Sequence, residues 1–188
     1  MSTFAGSIHN RLRNYYLEYK NSPNREEARK WYNKTIWEGC IHAIAEEIVL
    51  YPLVRNYFSN GEELADEAIE YHKQLKHDLY LLESTDFNDE FFDLKFTKVM
   101  ESLFIDMKVE ELQILEEVTK QVPLEIRIKA SVLFEKRKLI VHPQPNNNLT
   151  EKYLIIETIQ ELLLAPIEKF IDHFKEYQEP QQSASYQN

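Results

Sequence analysis

His42 and Glu46 stand four residues apart inside the apolar run HAIAEEIVLYP. Four residues advance an α-helix by one turn plus about 40°, so the imidazole and the carboxylate point the same way, into the company of Val49 and Leu53. A carboxylate among apolar side chains is costly unless a metal ion, a cationic side chain or a proton compensates it. One His and one Glu at this spacing are usually incidental. The pair carries weight only if other segments send similar groups to the same place.

Three other segments do. His72 lies on the stripe formed by Ala65, Ala68, Ile69, Leu75 and Leu79, with Lys76 one turn on and His77 pointing away. Further along, the apolar arc of Phe92, Phe96, Leu103, Met107 and Ile114 has Asp106 at one edge, Glu110 within it and Glu111 on its other shoulder. Near the N-terminus, His9 falls beside Ala5, Leu12 and Tyr16. Glu116 and Glu117 read as a solvated face. A buried histidine bonded to a carbonyl would explain any one of these residues, but not four segments that each turn an imidazole or a carboxylate inward. Mixed imidazole and carboxylate donors on facing helices suit iron, manganese or zinc.

The elements that must hold these residues are helical. Three glycines, seven prolines and long runs of Glu, Lys, Leu and Ile predict an all-α chain. Helical spacing places one helix over 7–20, ending before the breaker NSPN. REEARKWYNK reads as a basic, solvated stretch, and Thr35 with Glu38 as a capping box that starts a second helix running towards Tyr51 and kinked or ended by Pro52. A third helix covers 62–82. A fourth starts at an Asn88 or Asp89 cap and runs to the break at Pro123. Two more are expected, over 124–139 and 151–174, on either side of VHPQPNNNLT. The tail 179–188, EPQQSASYQN, has the composition of a disordered segment.

Length and charge set further bounds. A chain of 188 residues, 43% hydrophobic, can fill one core, and residues 1–178 are expected to form one domain. The net charge of −10 argues against nucleic-acid partners. No run approaches the roughly 18 apolar residues of a membrane span, and no N-terminal segment has signal-peptide character, which makes the cytoplasm the expected location, with the nucleus as alternative. Cys40 is alone and cannot close an internal disulfide. Glycine-rich phosphate loops, paired cysteines and nucleophile elbows are all missing.

WEGCIHAIAEEIVLYPLV closely resembles the second helix of the hemerythrin-like proteins, the HHE cation-binding group as it occurs in fungi. IHNRL, EYHKQLKHDLYLLE and FIDMKVEELQIL are similar to that family's first, third and fourth helix segments, and LLLAPIEKFIDHF to a C-terminal helix of fungal members. The resemblance implies an up-down four-helix bundle, with additional C-terminal helices, around one or two non-heme iron ions. By position it makes His9, His42 and His72 histidine ligands, Glu46 the first bridging carboxylate and Glu111 the second, with Glu110 a close competitor. Two positions depart from the pattern, because Lys76 and Asp106 stand where the family has histidines. The implied centre is therefore reduced to one firmly held metal or a carboxylate-rich pair, with zinc or manganese as alternatives to iron. An open coordination position would admit O2, nitric oxide or peroxide, and no enzymatic activity is assigned. Two other readings remain: a metal-free helical interaction module in which Lys76 neutralises the buried acids, and a di-iron oxidase or peroxidase.

Overall fold

Asn24 starts the second helix, eleven residues before the expected capping box at Thr35. Its extended backbone turns the side chain to accept from the Glu27 amide at 3.0 Å, which gives the new helix a partner for one of its first free N–H groups. Thr35 is interior to that helix and buried, and its hydroxyl donates back to the Trp31 carbonyl at 2.7 Å. Ala28 and Tyr32 are buried one turn apart, so the stretch read as basic and solvated is an amphipathic helix with an inward face.

The computed structural model describes residues 6–136, 140–141, 154–155 and 164–176. Helix α1 spans Gly6–Lys20. Helix α2 is continuous through three stretches: Arg25–Ala45, a π-helical turn over Glu46–Leu50, and Tyr51–Tyr57. Helix α3 spans Gly61–Glu83. Helix α4 repeats the plan of α2, with Phe92–Val109, a π-helical turn over Glu110–Ile114, and Leu115–Gln121. Helix α5 covers Leu124–Glu135 and α6 covers Ile167–Glu176. Within the stretch expected as the sixth helix, Leu154–Ile155 instead forms a two-residue strand, β2, paired in parallel with β1, Ile140–Val141. Pro166 stands immediately before α6. His142, Pro143 and the tail from Glu179 lie outside the described residues.

Short connections make α1 to α4 an up-down bundle: α1 packs on α2 and α4, and α3 on the end of α2 and on α4. Gly61 permits the tight α2–α3 corner, since a Cβ there would run into the Val54 carbonyl and the Arg55 backbone. One half of the bundle is an aromatic core. The Phe96 ring meets Tyr19, Tyr32 and Tyr16 edge-on at 4.7, 4.9 and 5.5 Å, a favoured geometry for ring pairs. Among the described residues no helix is long and apolar enough to cross a membrane.

Pro52 neither ends nor breaks α2. The turn before it is π-helical, with the Tyr51 amide bonded to the Glu46 carbonyl five residues back. This wider turn rotates the last stretch of the helix, so Leu50, Tyr51 and Val54 are fully buried while Leu53 is only partly so. An unbroken helix would have put Leu53 on the inward face.

Candidate metal centre

Beyond the aromatic core the bundle interior becomes polar. His9 from α1, His42 and Glu46 from α2, His72 from α3 and Glu110 from α4 are each no more than 2% exposed. Both π-helical turns begin at one of the two buried carboxylates, Glu46 and Glu110. Such turns recur at functional sites, where they re-aim side chains within an otherwise regular helix.

The two carboxylates divide the cluster. Glu46 Oε1 lies 2.7 Å from His42 Nε2 and 3.9 Å from His9 Nε2, while its Oε2 lies 3.7 Å from His72 Nε2. Glu110 behaves likewise, with Oε2 3.5 Å from His9 Nε2 and Oε1 accepting from the Tyr51 hydroxyl at 3.2 Å. On the first side, His9, His42, Glu46 and Glu110 bring one donor atom each within 4.8 Å of one another. On the second side stand His72, Tyr51 and Asp106, whose Oδ2 is 3.6 Å from His72 Nε2.

Hydrogen bonding tells the two sides apart. Glu46 Oε1 and Glu110 Oε2, both on the first side, are buried without a hydrogen bond, the close approach of His42 Nε2 to Glu46 being off the direction a bond requires. Buried acceptors left this way are rare and costly. His9 Nε2 and His42 Nε2 face each other at 2.9 Å. Two ligands at right angles, each about 2.1 Å from an ion, sit about 3.0 Å apart. Two imidazole nitrogens and two orphaned carboxylate oxygens at these separations fit a divalent metal ion.

The surroundings support that donor set. His9 Nδ1 donates to Glu111 Oε1 at 2.8 Å, and Arg13 holds the same carboxylate at 3.1 and 3.3 Å. A carboxylate on the far nitrogen of an imidazole fixes the tautomer that leaves Nε2 free for a metal. Glu111 is a third exposed, and Glu110 takes the inner place that position had given to Glu111. Neighbours on a helix differ by about 100° in direction, and here Glu110 takes the inward one while Glu111 lies at the edge. Lys76 does not neutralise Glu46 or Asp106, as its ammonium pairs with Glu47 at 2.6 Å, and Glu47 also accepts from His72 Nδ1 at 3.1 Å. Phe134 of α5 is buried with its ring edge-on to His42, 5.7 Å between centroids, and so covers that side of the centre.

Without an ion, protons take over part of its task. The pKa of His9 is pushed up to about 10: burial opposes the charge, but Glu110 and Glu46 outweigh burial. His72 also rises to about 10, against burial, through Asp106, Glu47 and Glu46. Burial would raise Glu46, yet His42, His9 and His72 hold it well below the usual carboxylate range. Burial and the charge of Glu46 push Glu110 far up. Metal binding at such a cluster displaces protons.

The model of the hemerythrin HHE cation-binding domain matches residues 7–118. The chain belongs to that family. It is 29% identical over 174 residues to an uncharacterised hemerythrin-like protein of Schizosaccharomyces pombe, covering 90% of this chain and 83% of the relative. No solved structure matches. The matched region takes in the four bundle helices except for Gly6 and the last three residues of α4, and holds every donor named above, while Phe134 lies beyond it.

Helical faces had pointed to His9, His42, Glu46, His72 and Glu110 as inward groups, and the structure brings these five together. Asp106 joins from the second side, and Glu111 stands outside as the partner of His9. Glu47 and Arg13 were not anticipated. The signal for Glu47 was the lysine one turn after His72, which needs an acid within reach when half buried; Arg13, one turn after His9, matches Glu111 in the same way.

Proposed function

We propose that the protein is a cytoplasmic non-heme iron protein that binds one iron ion through His9, His42, Glu46 and Glu110. The bound ion would present an open position to O2, nitric oxide or peroxide. The observation that carries this reading is the pair of buried carboxylate oxygens without hydrogen bonds, facing two imidazole nitrogens. Four protein donors leave an ion room for a small ligand, and imidazole with carboxylate suits iron, with manganese and zinc as the competing ions. His72 and Asp106 form the weaker half, and Lys76 keeps the position of a family histidine.

The test is metal content by mass spectrometry on untagged protein from iron-supplemented cells. Near one iron per chain in the wild type, lost in His42→Ala and raised towards two in Lys76→His, is the expected pattern. A competing reading, a metal-free interaction module, draws on the proton-holding capacity of His9, His72 and Glu110. Folded protein that takes up neither iron, zinc nor manganese on reconstitution would favour it.

A further inference from the structure

The second side of the cluster is already bonded internally, and its bonds form a chain. Lys76 donates to Glu47 at 2.6 Å, and His72 Nδ1 donates to the same carboxylate at 3.1 Å. The other nitrogen of His72 is 3.0 Å from the Tyr51 hydroxyl, which donates to Glu110 Oε1 at 3.2 Å. Tyr51 is fully buried and the Pro52 beside it is exposed, so this helical turn sends the phenol into the cluster next to Glu46. Two other tyrosines, Tyr16 and Tyr80, take no such place. Tyr16 bonds to Thr97, and Tyr80 is 39% exposed.

We propose that Tyr51 is the specificity-determining residue for a small anionic ligand on the metal, to which its hydroxyl donates a hydrogen bond. This rests on the metal reading given above. Glu110 links the two sides: one oxygen faces the donors of the first side, and the other holds the Tyr51 proton. A ligand that extends from an ion on the first side towards the second meets that hydroxyl next. The Tyr51 bond to Glu110 is long for an O–H donor, so the proton can be turned to a better acceptor at little cost. His72, anchored through Glu47 and Lys76, fixes the phenol oxygen from behind. Small anions with a strong acceptor end are selected, because the enclosing side chains are buried.

The experiment uses the full chain reconstituted with iron, in wild-type form and as Tyr51→Phe, with azide as the probe. Iron per chain is measured first, and azide affinity is then read from the azide-to-iron charge-transfer absorption. Expected is unchanged iron content and an azide dissociation constant about tenfold or more higher in Tyr51→Phe, the loss of one hydrogen bond to a charged acceptor. Equal azide affinity in the two proteins overturns the proposal. So does a phenolate-to-iron absorption band in the wild type that Tyr51→Phe removes, or loss of iron from Tyr51→Phe, since either makes Tyr51 a ligand of the ion. Wild-type protein without metal sinks the metal reading itself, and this inference with it.

Discussion

Glu110 and Glu111 are adjacent, yet the chain uses them differently. Glu110 is enclosed and turns an unbonded oxygen towards His9, while Glu111 reaches His9 from outside with Arg13 beside it. Glu110→Gln is expected to abolish stoichiometric metal binding, whereas Glu111→Gln should weaken it about 10–100-fold, the usual effect of losing a partner behind a histidine ligand. Chelator competition against each variant measures the difference. At the opposite end, Asp93 accepts from Tyr19 and from Arg25, and although burial would raise its pKa these bonds lower it. A lowered pKa stabilises the fold above the ordinary carboxylate value of 3.8 and the benefit is lost as pH falls through the folded value. Melting curves of wild type and Asp93→Asn should therefore differ at neutral pH and converge in acid. The gap should be well under 1 kcal/mol because the carboxylate is mostly exposed. Which histidines face inward was legible from spacing alone. Which of two neighbouring glutamates does so depends on helix phase to a fraction of a turn, and that is set by packing.

Among elements, the helices over 6–20 and 61–83 follow their periodicity and breakers closely. The start of α2 was missed because Thr35 and Glu38 imitate a capping box, while the true signal, Asn24 with Glu27 three residues later, lies in a stretch whose charge suggested solvent. The π-helical turns have no counterpart in a rule built on 3.6 residues per turn, which explains why Leu53 was expected where Val54 is found. The strand at Leu154–Ile155 was read as helix, since an apolar run of this length fits either state. The corner at Gly61 has no room for a methyl group, and Gly61→Ala is expected to lower stability by about 1–3 kcal/mol in a denaturant melt. Helix α5 earns its place through Phe134: truncation to Ala should cost about 3–5 kcal/mol and quicken metal loss to a chelator by uncovering His42.

For the molecule as a whole, the proposed metal site predicts a bundle that is more stable with an ion than without. Excess metal at a hundred times its dissociation constant should stabilise the fold by about 2.7 kcal/mol. For a chain of this size that amounts to a rise of roughly 5–11 °C in Tm, reversed by chelator and absent in His42→Ala. Calorimetry with and without chelator checks it. The four-helix plan was legible because each helix carries its own stripe and its own stop signals; the contact of Phe134 with His42 was not, because nothing in the sequence of α5 marks that ring among its apolar neighbours. All the donors sit within residues 7–118, the stretch that matches the HHE family, and Phe134 sits after it. On the proposed metal reading, holding an ion and deciding how easily anything reaches it are thereby written in different parts of the chain. A substitution in the later part can retune access and leave the ion's ligands untouched, so two proteins with identical ligands need not respond to the same small molecule at the same speed.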